Sequence, residues 1–220
     1  MTYIMKQARE RREICKMLTT RFLMVLFFLL LFNASADSPA TSINFAHHYT
    51  GNHLVSAAIT GKTLTLELMQ AFSDPELEVG VKAAIISGLG WSYKRQNNAS
   101  IYRNFLVNKN EIKESEFELE DMEGYEIFCL GYLILHDDVL SKTDKALETL
   151  QVAKKKMPGS YTVAAVIAMV KGQTGLKDDW CEIWRQGDNV NTTPSLHHDL
   201  KRSARVEFTD YMNSFKKYCK

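Results

Sequence analysis

Apolar residues are distributed along this 220-residue chain in two ways. The first is a single unbroken block, Phe22 to Phe32, which follows a cationic lead ending at Arg21 and precedes the small residues Ala34-Ser35-Ala36. A charged lead, an apolar stretch and a small-x-small site are the three parts of a secretory signal peptide. A spanning helix needs about 20 apolar residues to cross roughly 30 Å of hydrocarbon. The block has eleven, and extending it to Ala36 brings in Asn33 and Ser35. The pattern predicts cleavage after Ala36, with an uncleaved membrane anchor as the alternative. Met1 to Lys16 form a long lead, and a start at Met17 or Met5 rather than Met1 gives a signal of more ordinary length.

The second pattern is helical spacing, and it fills almost everything after residue 52. Residues 37–52, with Pro39 and several Ser and Thr, read as a polar linker, and residues 53–220 as one all-helical domain. Leu54, Ala57, Ala58, Leu64, Leu68 and Phe72 recur at three- and four-residue steps, interrupted near Gly61. Ser73-Asp74-Pro75-Glu76 gives a stop and a restart, with Pro75 suited to a first helical turn. Val79, Ala83, Ile86 and Tyr93 carry the next helix toward Gln96. Further helices are predicted at about Ser100 to Val107, Tyr125 to Leu135, Asp144 to Met157 and Tyr161 to Val170, the last stopped by Gly172 and Gly175. Asp178-Asp179 can cap a helix bearing Trp180 and Trp184. Gly187 to Pro194 reads as a polar loop, and Leu196 to Tyr218 as a long amphipathic helix. Alternating strand patterns are nearly absent, so the expected fold class is all-α.

Short turns between paired helices call for a repeat search. In LGYLILHDDVLSKTDKALETLQVAKKKMP, small Ala146 is followed by Leu150, Ala153 and Pro158, while Leu130-Gly131 and Ile134 precede it. Over about residues 125–175 this spacing resembles a tetratricopeptide repeat, with Ile167-Ala168 and Gly175 fitting the first helix of a following unit. The turn within the first unit is about three residues longer than the family pattern, and Trp180 stands where a small residue is expected. The resemblance implies stacked antiparallel helix pairs in an α-solenoid. A compact helical bundle is the competing architecture.

Charge changes the picture once the leader is set aside. The chain holds 27 Lys+Arg and 26 Asp+Glu; subtracting the leader's six basic and two acidic residues leaves 21 against 24, a net charge of −3. A faintly acidic protein has no footprint for nucleic acid, whose binding rests on clustered Lys and Arg. Three cysteines follow the leader. Cys129 sits in an apolar run, and Cys181 and Cys219 are the natural disulfide pair of an exported protein, against the alternative of three free thiols.

Candidate chemistry is sparse. His136-Asp137-Asp138 can be read as an acid-base or metal constellation, or as a polar helix end. His197-His198-Asp199 is expected to open the last helix, and neighbouring imidazoles about 100° apart on a helix do not converge on one ion. Glu111 to Glu123 reads as a solvated face or a flexible connector rather than catalytic carboxylates or a calcium site, and Gly61-Lys62-Thr63 lacks the upstream glycine of a phosphate loop. No metal, cofactor or catalytic set is expected from these residues. Asn98-Ala99-Ser100 and Asn191-Thr192-Thr193 match the glycosylation acceptor pattern, which bears on the protein only in a eukaryotic secretory pathway.

The aromatic residues are the functional lead. Trp91 with Tyr93, and Trp180 with Trp184, cluster near helix ends, and the latter two share one helix face. They are read either as core contacts or as a partner-binding groove, since aromatics are favoured at interface hot spots. The sequence thus predicts an exported, non-enzymatic helical-repeat scaffold for a protein or peptide, secreted or periplasmic. The alternatives are a membrane-tethered assembly factor and an enzyme or small-ligand binder.

Overall fold

The computed structural model describes residues 38–91, 97–175 and 179–220, and the leader lies outside them. Their architecture is all-α. The α-helices among them are α1 (Pro39–Ser42), α2 (His53–Gly61), α3 (Leu66–Phe72), α4 (Val79–Leu89), α5 (Asn98–Lys109), α6 (Gly124–Asp137), α7 (Thr143–Lys156), α8 (Tyr161–Gly175), α9 (Trp180–Thr192) and α10 (Arg202–Asn213). Four 3-10 turns join them, at Phe45–His48, Glu114–Glu116, Leu119–Asp121 and Lys216–Tyr218. No strand occurs among the described residues, only an isolated parallel bridge between Ser160 and His197.

Local chemistry explains many of the starts. The Asn52 side chain accepts from Leu54 N at 2.9 Å and Val55 N at 3.3 Å, and the Thr65 hydroxyl accepts from Leu68 N at 3.3 Å. These side chains satisfy first-turn amides that no helical carbonyl can reach. Glu126 reaches back to the Glu123 amide at 3.3 Å in a capping box at the start of α6. Asp179 caps α9 through Cys181 N at 2.9 Å, and Lys154 to Lys156 complement the C-terminal dipole of α7.

Helix α4 is the hub. Its sequence, VGVKAAIISGL, is apolar all round apart from Lys82 and Ser87, and every residue from Gly80 to Leu89 is buried. It packs against α2, the Phe45–His48 turn, α6 and α8. The most extensive pairing joins α6 to α7, where a Cβ on Gly131 would lie 2.8 Å from Leu150 Cγ. Only glycine allows these two helices to approach so closely. Ala146, Leu150 and Ala153 are fully buried at the same seam.

Four expectations are corrected. Residues 38–52 are not a linker, because Ala40, Ile43, Phe45, Ala46 and Tyr49 are buried in the core. Helix α1 packs on α8, and the Phe45–His48 turn packs on α4 and α10. Glu207 of α10 accepts from Asn44 N at 3.0 Å and pairs with the His48 ring at 2.5 Å. Contacts therefore pass well beyond chain neighbours, whereas a purely one-dimensional stack touches only adjacent repeats. Second, α4 begins at Val79 rather than at Pro75, and it ends before Gly90, whose φ of 78° takes the chain out of the helix. Third, α9 continues to Thr192, and Gly187 lies inside it, where α10 approaches so closely that a Cβ would sit 2.4 Å from Met212 Cβ. Gly172 likewise lies within α8. Fourth, the last helix begins at Arg202 and not at Leu196. His197 instead pairs with the Gly159–Tyr161 backbone, and the Asp199 carboxylate caps α8 through Thr162 N at 2.8 Å.

Candidate functional site

The acidic run expected as a solvated connector is ordered on the surface. Its two 3-10 turns are held against α7 by the Lys156 ammonium, which donates to Glu120 O at 2.6 Å and Met122 O at 2.7 Å. Arg103 of α5 ties the other end, pairing with Glu114 at 2.6 Å and lying 4.6 Å from the Phe117 ring centroid. The glutamate side chains still face water; the four apolar residues among them, Ile112, Phe117, Leu119 and Met122, turn inward against the core.

Between this strap and helices α5 to α7 lies a groove of about 430 Å³. Leu130 and Ile134 of α6 form part of its apolar lining, Phe117 and Leu119 roof one edge, and Ala99 adds a small apolar side from α5. Charge of both signs rims it, with Lys142 and Lys145 from the start of α7 and Glu118 and Glu120 from the strap. An apolar floor with a polar rim can hold one large apolar side chain of a partner while charges fix its orientation. The sequence signal for this groove was the pair Phe117 and Leu119 at two-residue spacing inside the acidic run.

The aromatic candidates occupy different settings. Trp180 and Trp184 share a face of α9, and the C-terminal segment folds against it. The Trp180 ring lies 5.0 Å from Tyr218 and 5.8 Å from Phe215, yet remains 45% exposed. Trp184 packs on the core with the Lys216 ammonium 5.3 Å from its ring. A Cys181–Cys219 disulfide, with Cα atoms 4.8 Å apart, fastens the segment in place. Trp91 is at another place, where its Nε1 donates to Thr41 O at 3.3 Å. Tyr93 lies outside the described residues.

The His136-Asp137-Asp138 set does not converge. Asp137 is fully buried and caps α5, accepting from Asn98 N at 3.0 Å and Ala99 N at 2.9 Å. Burial pushes its carboxyl pKa up, and these two amides pull it back. Asp138 caps the following turn through Ser141 N at 3.0 Å. The His136 ring is 3% exposed, stands edge-on to Tyr132 at 4.6 Å, and makes no hydrogen bond of good geometry through either nitrogen. Burial brings its pKa down to about 4, against a weaker opposing pull from the Gly90 backbone.

A second buried polar group lies under α4. Lys82 has no exposed surface; its ammonium donates to Asp74 O at 2.5 Å and lies 4.0 Å from the Tyr125 ring centroid. Burial pushes its pKa down, while Cys129, Asp74 and Glu126 favour the charged form. Glu126, itself buried, pairs with Lys109 at 2.6 Å. The Cys129 thiol is free and buried, and burial raises its pKa, which leaves it protonated and inert. Each charged group in this cluster has a partner, so it reads as a satisfied structural network. Its only sequence signal was one lysine in an otherwise apolar helix.

Among the described residues no three His, Cys, Asp or Glu side chains are grouped to hold a metal ion, and no helix is long and apolar enough to cross a membrane. Compared with known proteins, the chain matches no protein-family model, no curated protein and no solved structure.

Proposed function

We propose that the protein is an exported, non-enzymatic helical scaffold that binds a segment of another protein in the groove between the acidic strap and helices α5 to α7. The groove itself carries the reading: Leu130 and Ile134 offer an apolar seat rimmed by charge of both signs. Its occupant is a segment with one large apolar anchor flanked by charged residues, because such a segment buries its anchor and pairs with both sides of the rim. The Cys181–Cys219 disulfide fits an oxidising compartment outside the cytosol and supports export. The tight α6–α7 seam of Gly131, Ala146 and Leu150 supports the tetratricopeptide-like reading of residues 125–175.

A photo-crosslinking residue placed at Leu119, in the full chain expressed in its host, tests the reading. One discrete adduct is expected, lost when Ile134 is replaced by Glu and absent when the crosslinker stands at exposed Val206 on α10. Equal crosslinking from both positions, or none from Leu119, overturns it. N-terminal sequencing addresses the leader: a mature start at Asp37 is expected, and a retained leader makes the protein a membrane-tethered assembly factor instead.

A further inference from the structure

A second recess, of about 600 Å³, opens where the Tyr49 ring, the start of α4, the 198–201 segment and the start of α10 meet. Its wall is partly apolar, from Val81 and Leu200, and three cations stand around it: Lys201, Arg202 and Arg205. Lys201 is committed in part, since its ammonium donates to His48 O at 2.7 Å. Arg205 donates through Nε to Leu200 O at 3.2 Å and lies 5.7 Å from the Tyr161 ring, which leaves its two terminal amino groups free of protein acceptors among the described residues. The Arg202 guanidinium, one turn earlier on the same helix, has no hydrogen bond or ion pair to a described residue. Side chains three apart on a helix are neighbours, so the two forks serve one location.

The two carboxylates of the recess offset only part of this charge. Asp199 directs both oxygens away to α8, accepting from Thr162 N and Thr162 Oγ1 on one and from Ser160 Oγ on the other. Glu78 is exposed and caps no amide with its side chain. Glu78 and Asp199 both keep a charge that reaches Tyr49, so together they oppose an incoming anion, against three cations. Both α4 and α10 begin at this recess without a side-chain cap, so first-turn amides and the positive ends of two helix dipoles add to the cationic field.

One further donor lines the recess. Tyr49 is only 7% exposed, and its hydroxyl accepts from Lys201 N at 2.7 Å, but among the described residues its own proton has no acceptor. Buried donors are rarely left unused. Burial raises the Tyr49 pKa, with the Lys201 amide opposing, so the phenol holds that proton at neutral pH. Gly80 makes the arrangement possible: a Cβ there would sit 2.7 Å from the Tyr49 hydroxyl and 2.5 Å from Asp199 O.

We infer that this recess binds a small oxyanion, a carboxylate or phosphate group, held by the Arg202 and Arg205 forks and by the Tyr49 hydroxyl proton. Guanidinium forks match the two oxygens of such groups, and a neutral phenol supplies a further donor without adding charge. The inference is independent of the strap groove and stands or falls without it.

Titration of the full chain with inorganic phosphate, and separately with succinate, at constant ionic strength set by sodium chloride, tests it by calorimetry or amide chemical shifts. Saturable binding of at least one is expected, and the two arms distinguish phosphate from carboxylate ligands. The Arg202→Ala, Arg205→Ala double variant is expected to weaken it at least tenfold, and Glu78→Gln to tighten it several-fold. Arg205 packs on Tyr161, so the single Arg202→Ala variant, at an exposed position, provides the reading if the double variant misfolds. A non-saturating response to both anions, or binding that Arg202→Ala leaves unchanged, overturns the proposal.

Discussion

Two regions of this molecule bring apolar groups to or just beneath the surface, and they differ in what stands over them. At the C-terminal end, Trp180 is exposed but has Tyr218 and Phe215 against its ring and a disulfide one residue away. Between α5 and α7, buried Leu130 and half-buried Ile134 form the floor of an open groove, with the strap residues Phe117 and Leu119 along one edge. The conspicuous aromatics are thus held by their own chain, while the inconspicuous aliphatics have room for something else. Residue type alone marks a surface as sticky; whether the chain has already covered it decides its use.

The disulfide gives the sharpest way to break that contrast. It closes a loop with a sequence separation of 38, and the chain-entropy account gives such a crosslink about 4 kcal/mol. The Cys181→Ser, Cys219→Ser variant is expected to lose most of that in a denaturant titration, with a change in tryptophan emission as the C-terminal segment lifts from Trp180. Unchanged emission would show that the segment holds without its bond. Leu150→Ala strikes the wall of the other region. It empties a fully buried site opposite Gly131, and an expected loss of about 3 kcal/mol should come with loss of the Leu119 crosslink.

The third test reaches the groove from behind, through His136 on the same helix as Leu130 and Ile134. Its folded pKa of about 4 lies below the ordinary 6.5, so the unfolded chain binds more protons between those values and stability falls as pH drops through that window. The full stabilising effect is present above pH 6.5, and about 3 kcal/mol is lost by pH 4. His136→Phe should flatten this segment of the stability–pH curve; an unchanged slope rules out His136 as its source. The smallest effect is reserved for Trp180→Ala. Removing partly exposed ring contacts is expected to cost about 1 kcal/mol and to leave groove crosslinking intact. If crosslinking disappears instead, the aromatic end is the interface and the comparison is reversed.

Much of the helical layout was legible because α6 and α7 have clear apolar periodicity, α8 opens on a long apolar run, and Pro158 and Gly159 separate the last two. The failures have a common cause. In residues 38–49 the apolar side chains fall at irregular intervals, so their burial depends on distant partners that no local period reveals. Asp199 has the composition of a helix start, but it serves the start of α8, 37 residues earlier in the chain. The strap residues Phe117 and Leu119 were outnumbered by glutamates, and composition averaged them away. Cysteine pairing was readable because only two cysteines after residue 36 lie outside an apolar run, and geometry joins that pair.

The link from Asn44 and His48 to Glu207 also sets an order of events during synthesis. These partners are 163 and 159 residues apart, so a ribosome adding about 5–20 residues per second needs roughly 8–30 seconds between making the first and the second. Throughout that interval the Phe45–His48 turn has no α10 to pack on, and the native assembly cannot be completed before Glu207, in the last tenth of the chain, emerges. Until then the apolar side chains of the Phe45–His48 turn lack part of their final cover.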